Sequence, residues 1–259
     1  MDRKHLQISI KNLIRHPYWE ALCIPLLLLT HRLYYELIGE LLSQNSIDFG
    51  QFLISPWDRD IPFVPFFVLP YLFTWAYGAI IFLYAIITDT YYKYVFRCFY
   101  LSILLETAAE CLIWYNFPAS IQIRVAPEIL NRCGWLGSLT AYVYDRATPW
   151  NVIPSAHIAF SYTVWLFSKH FAKKNHRLLF LFLFILIALS VVFIKNHYLV
   201  DIAGGMALGQ IIYQCVFLPA LKSKILNRFP TSAVLGFYFL VFLLSMQIYK
   251  LALGYSWRL

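Results

Sequence analysis

Charge is what this chain has least of. Only 13% of its 259 residues are charged, against 61% that are hydrophobic, with 22 Phe, 19 Tyr and 8 Trp. No soluble domain of this length has an interior large enough to hide so much apolar side chain, so a soluble enzyme or binding module is excluded and an integral membrane protein is expected. Cysteine is sparse: Cys23, Cys98, Cys111, Cys133 and Cys215 are odd in number and scattered, which points to neither a disulfide framework nor a metal site. Low-complexity tracts, a fixed-period repeat and a soluble second domain are all absent, leaving one integral membrane domain over 1–259. No small-residue cleavage site follows the first apolar segment, which is therefore expected to stay as an uncleaved anchor.

What is present is a series of apolar runs. At roughly 20 residues per crossing, spans are expected near 18–38, 63–87, 98–117, 153–171, 178–195, 199–220 and 232–252. The first is the weakest, because His31, Arg32, Glu36 and Glu40 fall in its second half. The connections alternate in charge. Arg3, Lys4, Lys11 and Arg15 precede the first span, Lys93 and Arg97 the third, and Lys169, Lys173, Lys174 and Arg177 the fifth. Lys222, Lys224 and Arg228 precede the seventh. These basic connections are assigned to the cytoplasmic side. The net charge of +8 is then mostly topological, which excludes nucleic acid as a partner and favours anionic lipid headgroups. The other side has two long connections, about 43–62 and 118–152. A stretch from Trp135 to Tyr144 in the second suits a short interfacial helix.

Two short segments carry the chemistry. His197 and Asp201 are four apart, so on a helix the carboxylate can hold the imidazole, fix its tautomer and raise its basicity. The same spacing also suits an inert interfacial pair that caps a helix. Pro154-Ser155-Ala156-His157 opens the fourth span, with Pro placed for a first helical turn and Ser155 where backbone N–H groups bind an anion. Alternating spans bring His157, His197 and Asp201 to one membrane face.

With these residues the chain resembles the type-2 phosphatidic acid phosphatase superfamily, whose blocks read Pro-Ser-x-His and His-x-x-x-Asp. The sequence Asn196-His197-Tyr198-Leu199-Val200-Asp201 followed by Gly204-Gly205 is similar to the branch holding inositol phosphorylceramide synthases. The stretch from Phe117-Pro118 to Arg124, with Pro127-Glu128-Ile129, resembles that branch's arginine-bearing loop. The resemblance implies an all-α polytopic bundle with a six-helix core over about 58–220, an additional carboxyl-terminal span over 221–259, and about seven transmembrane helices in total. It further implies a metal-independent phosphatase or phosphotransferase without cofactor. Its substrate would be a phospholipid, sphingolipid or polyprenyl phosphate, at a site facing periplasm, lumen or exterior. His197 would be the nucleophile, Asp201 its orienting carboxylate and His157 the acid and base. Arg124, Ser155, Lys195 and Arg146 would bind phosphate. Phe117 and Val191 stand where the superfamily usually has a lysine and an arginine.

Glu106 and Glu110 lie one turn apart in the third span. Intramembrane carboxylates are functional by default, but a plainer reading has them hydrogen-bonded to a neighbour such as His31 or Arg32. A lipid transporter or flippase using His31, Arg32, Glu106 and Glu110 is the competing function. It leaves the convergence of two histidines and an aspartate without a reason.

Overall fold

The computed structural model describes residues 20, 22–45, 47–88 and 92–253. Arg3, Lys4, Lys11, Arg15 and Arg258 lie outside them, as does the start of the first expected span. The described residues are all-helical, with no strand among them, as the apolar runs require. Long helices are α1 (Cys23–Asn45), α4 (Val68–Ile87), α5 (Lys93–Asn116), α9 (Lys174–Phe193), α10 (Leu199–Ile212) and α12 (Thr231–Leu253). Short ones are α2 (Gly50–Leu53), α3 (Pro56–Asp60), α6 (Pro127–Arg132), α7 (Gly134–Arg146), the 13-residue α8 (Ala156–Ser168) and α11 (Leu218–Ser223). A π-helical turn at Tyr213–Phe217 joins α10 to α11.

Among the described residues four helices are long and apolar enough to cross a membrane: Pro65–Ile87, Lys174–Phe193, Leu199–Ser223 and Thr231–Leu253. The other three expected spans differ for physical reasons. Helices α1 and α5 have the length, at 23 and 24 residues, but carry several charges each. Helix α8 is about 20 Å long at roughly 1.5 Å per residue, against a hydrocarbon core of about 30 Å. It is wrapped by α4, α5, α9 and α10 and buried on nearly every side, which is why its sequence is apolar all round.

Helices α8 and α10 approach each other closely. Gly205 and Gly209 form a small-xxx-small pair on α10. A Cβ on Gly205 would stand 2.7 Å from the Ile158 Cβ and 2.8 Å from the Ser155 carbonyl oxygen. The backbones meet because no side chain separates them. This contact brings the start of α10 against the start of α8.

At the opposite end, Arg97 is buried and bidentate on Glu20, at 2.9 and 2.5 Å, and donates to the carbonyls of Leu226 and Phe229. Its charge is neutralised within the bundle and welds the start of α5 to the turn before α12. The basic connections gather at this end: Tyr84, at the end of α4, bonds His176 of α9, and His170 bonds Tyr213. Helix α12 packs along α1.

Candidate active site

The site forms at the other end, where two helices begin. Asp201, in the first turn of α10, turns its carboxylate back on the chain: Oδ2 accepts the Tyr198 N–H at 2.8 Å and lies 3.2 Å from His197 Nδ1. The His197 ring is thus tied to a helix amino terminus, where a carboxylate is favoured. Its Nε2 faces the Ser155 hydroxyl at 3.4 Å. Ser155 is the N-cap residue of α8 but makes no side-chain capping bond. It is fully buried, and its hydroxyl is directed to the imidazole instead.

His157, in the first turn of α8, has its ring centroid 5.8 Å from that of His197. Tyr71 of α4 stacks on it at 4.2 Å. The Tyr71 hydroxyl accepts from Asn196 Nδ2, and Asn196 Oδ1 accepts from Arg124 Nε. A continuous run of contacts therefore joins Arg124, Asn196, Tyr71 and His157. Trp114 Nε1 bonds the Pro154 carbonyl and fixes the approach to α8.

The long 118–152 connection folds over this end. Ala119 pairs with Asn151 across it, Tyr198 OH accepts from Gln122 N and donates to the Ser120 carbonyl, and Tyr144 OH bonds the Ile194 carbonyl. Asp48 receives the Ser120 N–H and hydroxyl, the Gly50 N–H and Gln122 Nε2. Burial works against its carboxylate, but these donors outweigh it and hold the pKa below the ordinary range. Helix α3 adds a strap: Asp58 Oδ1 accepts the first N–H of α10, from Leu199, at 2.7 Å.

Two neighbouring cavities open at this end, the first of them against His157. One, about 290 Å³ and mainly apolar, is lined by His157, His31, Trp75, Tyr71, Leu28 and Leu72 among others. The second, about 910 Å³ and polar, reaches Arg32, Glu36, Glu40, Arg124 and Tyr249. Arg32, Tyr35, Arg146 and Ala147 border both.

The PAP2 superfamily model matches residues 65–215. The chain belongs to the PAP2 superfamily. No curated protein and no solved structure matches it. Membership supports a phosphatase or phosphotransferase acting on lipid phosphate esters. The PAP2 match runs from the turn before α4 into the π-helical turn, so it takes in both histidines and leaves α1 and α12 outside.

Within this PAP2 chain the expected site residues divide. His157, His197, Asp201 and Ser155 are together. Arg124 lies beside them with three of its five N–H groups committed, to Asn196, the Tyr144 carbonyl and the Ala147 carbonyl. Burial pushes its pKa down. Lys195, in a left-handed backbone conformation with φ 55°, gives one N–H to the Asp58 carbonyl at 2.6 Å, so it braces α3 against the His197 turn. Burial lowers its pKa while Asp58 and Asp60 work the other way. Arg146 is largely exposed on the cavity rim, over the Tyr142 ring, and its carbonyl receives both Nη groups of Arg32. The sequence alone assigned no site role to Tyr71, Trp75, Asn196, Tyr198 or Asp58. Asn196 was detectable as a polar residue beside His197, but three more aromatics carry no signal in a chain this rich in them. Glu110 lies 3.1 Å from His31 and Glu106 accepts from Thr163, so both have partners.

Proposed function

We propose that the chain is a membrane lipid phosphatase or phosphotransferase that works through a phosphohistidine on His197, without a metal. The observation that carries this is the division of the His197 ring: Nδ1 is held by Asp201, and Nε2 is left facing Ser155 on the His157 side. With Nδ1–H donated to the carboxylate, Nε2 holds the lone pair that attacks phosphorus. The ester P–O bond breaks as the N–P bond forms, and His157 gives its proton to the leaving oxygen. In the second half His157 takes a proton from water or an alcohol, whose oxygen attacks phosphorus and releases His197. Acid–base assistance of this kind contributes about 10²–10⁴-fold. Arg124, Ser155 and the first N–H groups of α8 meet the phosphoryl oxygens where negative charge grows. The site opens to the extracytoplasmic side, since the basic connections lie at the other end.

A second reading, an inositol phosphorylceramide synthase-type phosphotransferase, is favoured by the 910 Å³ polar cavity, larger than a phosphate monoester needs. Both readings share one test. Purified protein in detergent is given a labelled lipid phosphate, and the protein is trapped for alkali-stable, acid-labile phosphate. Wild type should release the lipid and carry label, and His197→Ala should do neither. Unchanged turnover by His197→Ala would overturn the proposal.

A further inference from the structure

The apolar cavity beside His157 is also bordered by His31, the histidine of a second histidine–carboxylate pair. His31, on α1 and outside the family match, lies with Nε2 3.1 Å from Glu110 Oε2 of α5. The Trp75 ring touches both this imidazole and that of His157, with centroids 5.3 and 5.4 Å away. His31 is about nine-tenths buried and lines the apolar chamber beside His157. Its Nδ1 has no partner among the described residues, nor is it among the buried atoms sealed off without one. A polar ring edge therefore opens into a mainly apolar chamber, walled near His31 by Leu28, Leu72, Trp75 and Tyr71, with Arg32 and Arg146 also on its lining.

We propose that His31, held by Glu110, is a substrate-binding residue that recognises a hydroxyl on the lipid within a few bonds of its phosphate. The inference rests on the phosphohistidine reading, which puts the leaving oxygen at His157, one indole away. Mutual satisfaction of His31 and Glu110 explains why Nε2 is paired. It does not explain why the remaining nitrogen faces the chamber. With Nε2–H given to the carboxylate, Nδ1 is an acceptor; with the proton on the other side, it is a donor. A hydroxyl answers either form, because it both donates and accepts. A lipid lacking it would bury Nδ1 against hydrocarbon with no partner, which a polar group tolerates poorly.

The test uses two probes that differ in one oxygen, dodecyl phosphate and 2-hydroxydodecyl phosphate, with the full chain in detergent. Wild type should favour the hydroxylated probe in kcat/KM by at least about tenfold. His31→Ala should bring the ratio to about one, and Glu110→Gln, which still offers an acceptor oxygen to Nε2–H, should keep most of the preference. A purely structural role for the pair would lower both rates and leave the ratio alone, and that result overturns the inference. So does a wild-type ratio near one, a measurement that needs no variant to fold. Hydrolysis surviving in His197→Ala sinks the phosphohistidine reading instead, and no turnover of either probe by wild type counts against both.

Discussion

One oxygen of Asp201 serves two donors: Oδ2 is 3.2 Å from His197 Nδ1 and 2.8 Å from the Tyr198 backbone nitrogen. The other, Oδ1, is buried with no partner among the described residues. The helix start and the imidazole are thereby locked by the same atom. Orientation of the ring follows from where α10 begins, and α10 begins there because Asp58 takes its first N–H, from Leu199, and Asp201 the N–H of its N-cap residue Tyr198.

Asp201→Asn keeps an oxygen for the Tyr198 N–H but removes the negative charge that favours a positively charged or phosphorylated ring. Phosphoenzyme formation should slow by about 10²–10⁴-fold, by analogy with loss of the orienting carboxylate in a serine-protease triad. Rapid-quench trapping measures this. A loss under fivefold would remove Asp201 from the mechanism.

The glycines of α10 make a separable prediction. Gly205→Ala must displace Ile158 or the backbone at Ser155 and should cost about 1–3 kcal/mol, an overpacking penalty. In a chain of this size each kcal/mol lowers Tm by about 2–4 °C. Gly236→Ala, on α12 with nothing within 4 Å of a new Cβ, should be neutral or mildly stabilising. Thermal unfolding in detergent compares the two, and activity should fall only in the first.

The parts of the fold that were legible in the sequence are those set by local composition. The apolar runs at 63–87, 178–195 and 232–252 became Pro65–Ile87, Lys174–Phe193 and Thr231–Leu253 with shifts of a few residues. Trp135–Tyr144 became the core of α7. Helix α1 runs to Asn45 where an end near 38 was expected. The reason is tertiary: Arg32 pairs with Glu36 one turn on, Tyr249 of α12 reaches Glu36, and the charges line a polar cavity rather than lipid. The spacing of His197 and Asp201 was readable because it is local. The tie from Arg124 through Asn196 to Tyr71 was not, since it joins residues 72 and 125 positions apart.

Asp48 gives the outer loops an acid limit. Its folded pKa is below its unfolded value, so its contribution to stability is present above the ordinary carboxylate range and is lost as pH falls through the folded pKa. Wild type should lose Tm as pH drops below about 4, and Asp48→Asn should start lower and show a flatter acid limb. Equal slopes for the two proteins would assign the acid loss to other carboxylates.

The proposed orientation of the site rests on which end of the bundle is basic. Lys173 is exposed in the connection between α8 and α9, at the end opposite His157 and His197, while Asp145 is exposed on α7 beside the histidines. Lys169, Lys173, Lys174 and Arg177 crowd that connection, and such residues are retained on the cytoplasmic side. Cysteine placed at Asp145 should therefore react with an impermeant maleimide in sealed cells, and cysteine at Lys173 only after permeabilisation. The background replaces Cys111, Cys133 and Cys215 with serine, because Cys215 is exposed and Cys111 and Cys133 partly so. The same cells should consume a phosphorylated lipid supplied only to the outer leaflet. Labelling of the Lys173 position from outside would invert the bundle and move the reaction to the cytoplasmic face.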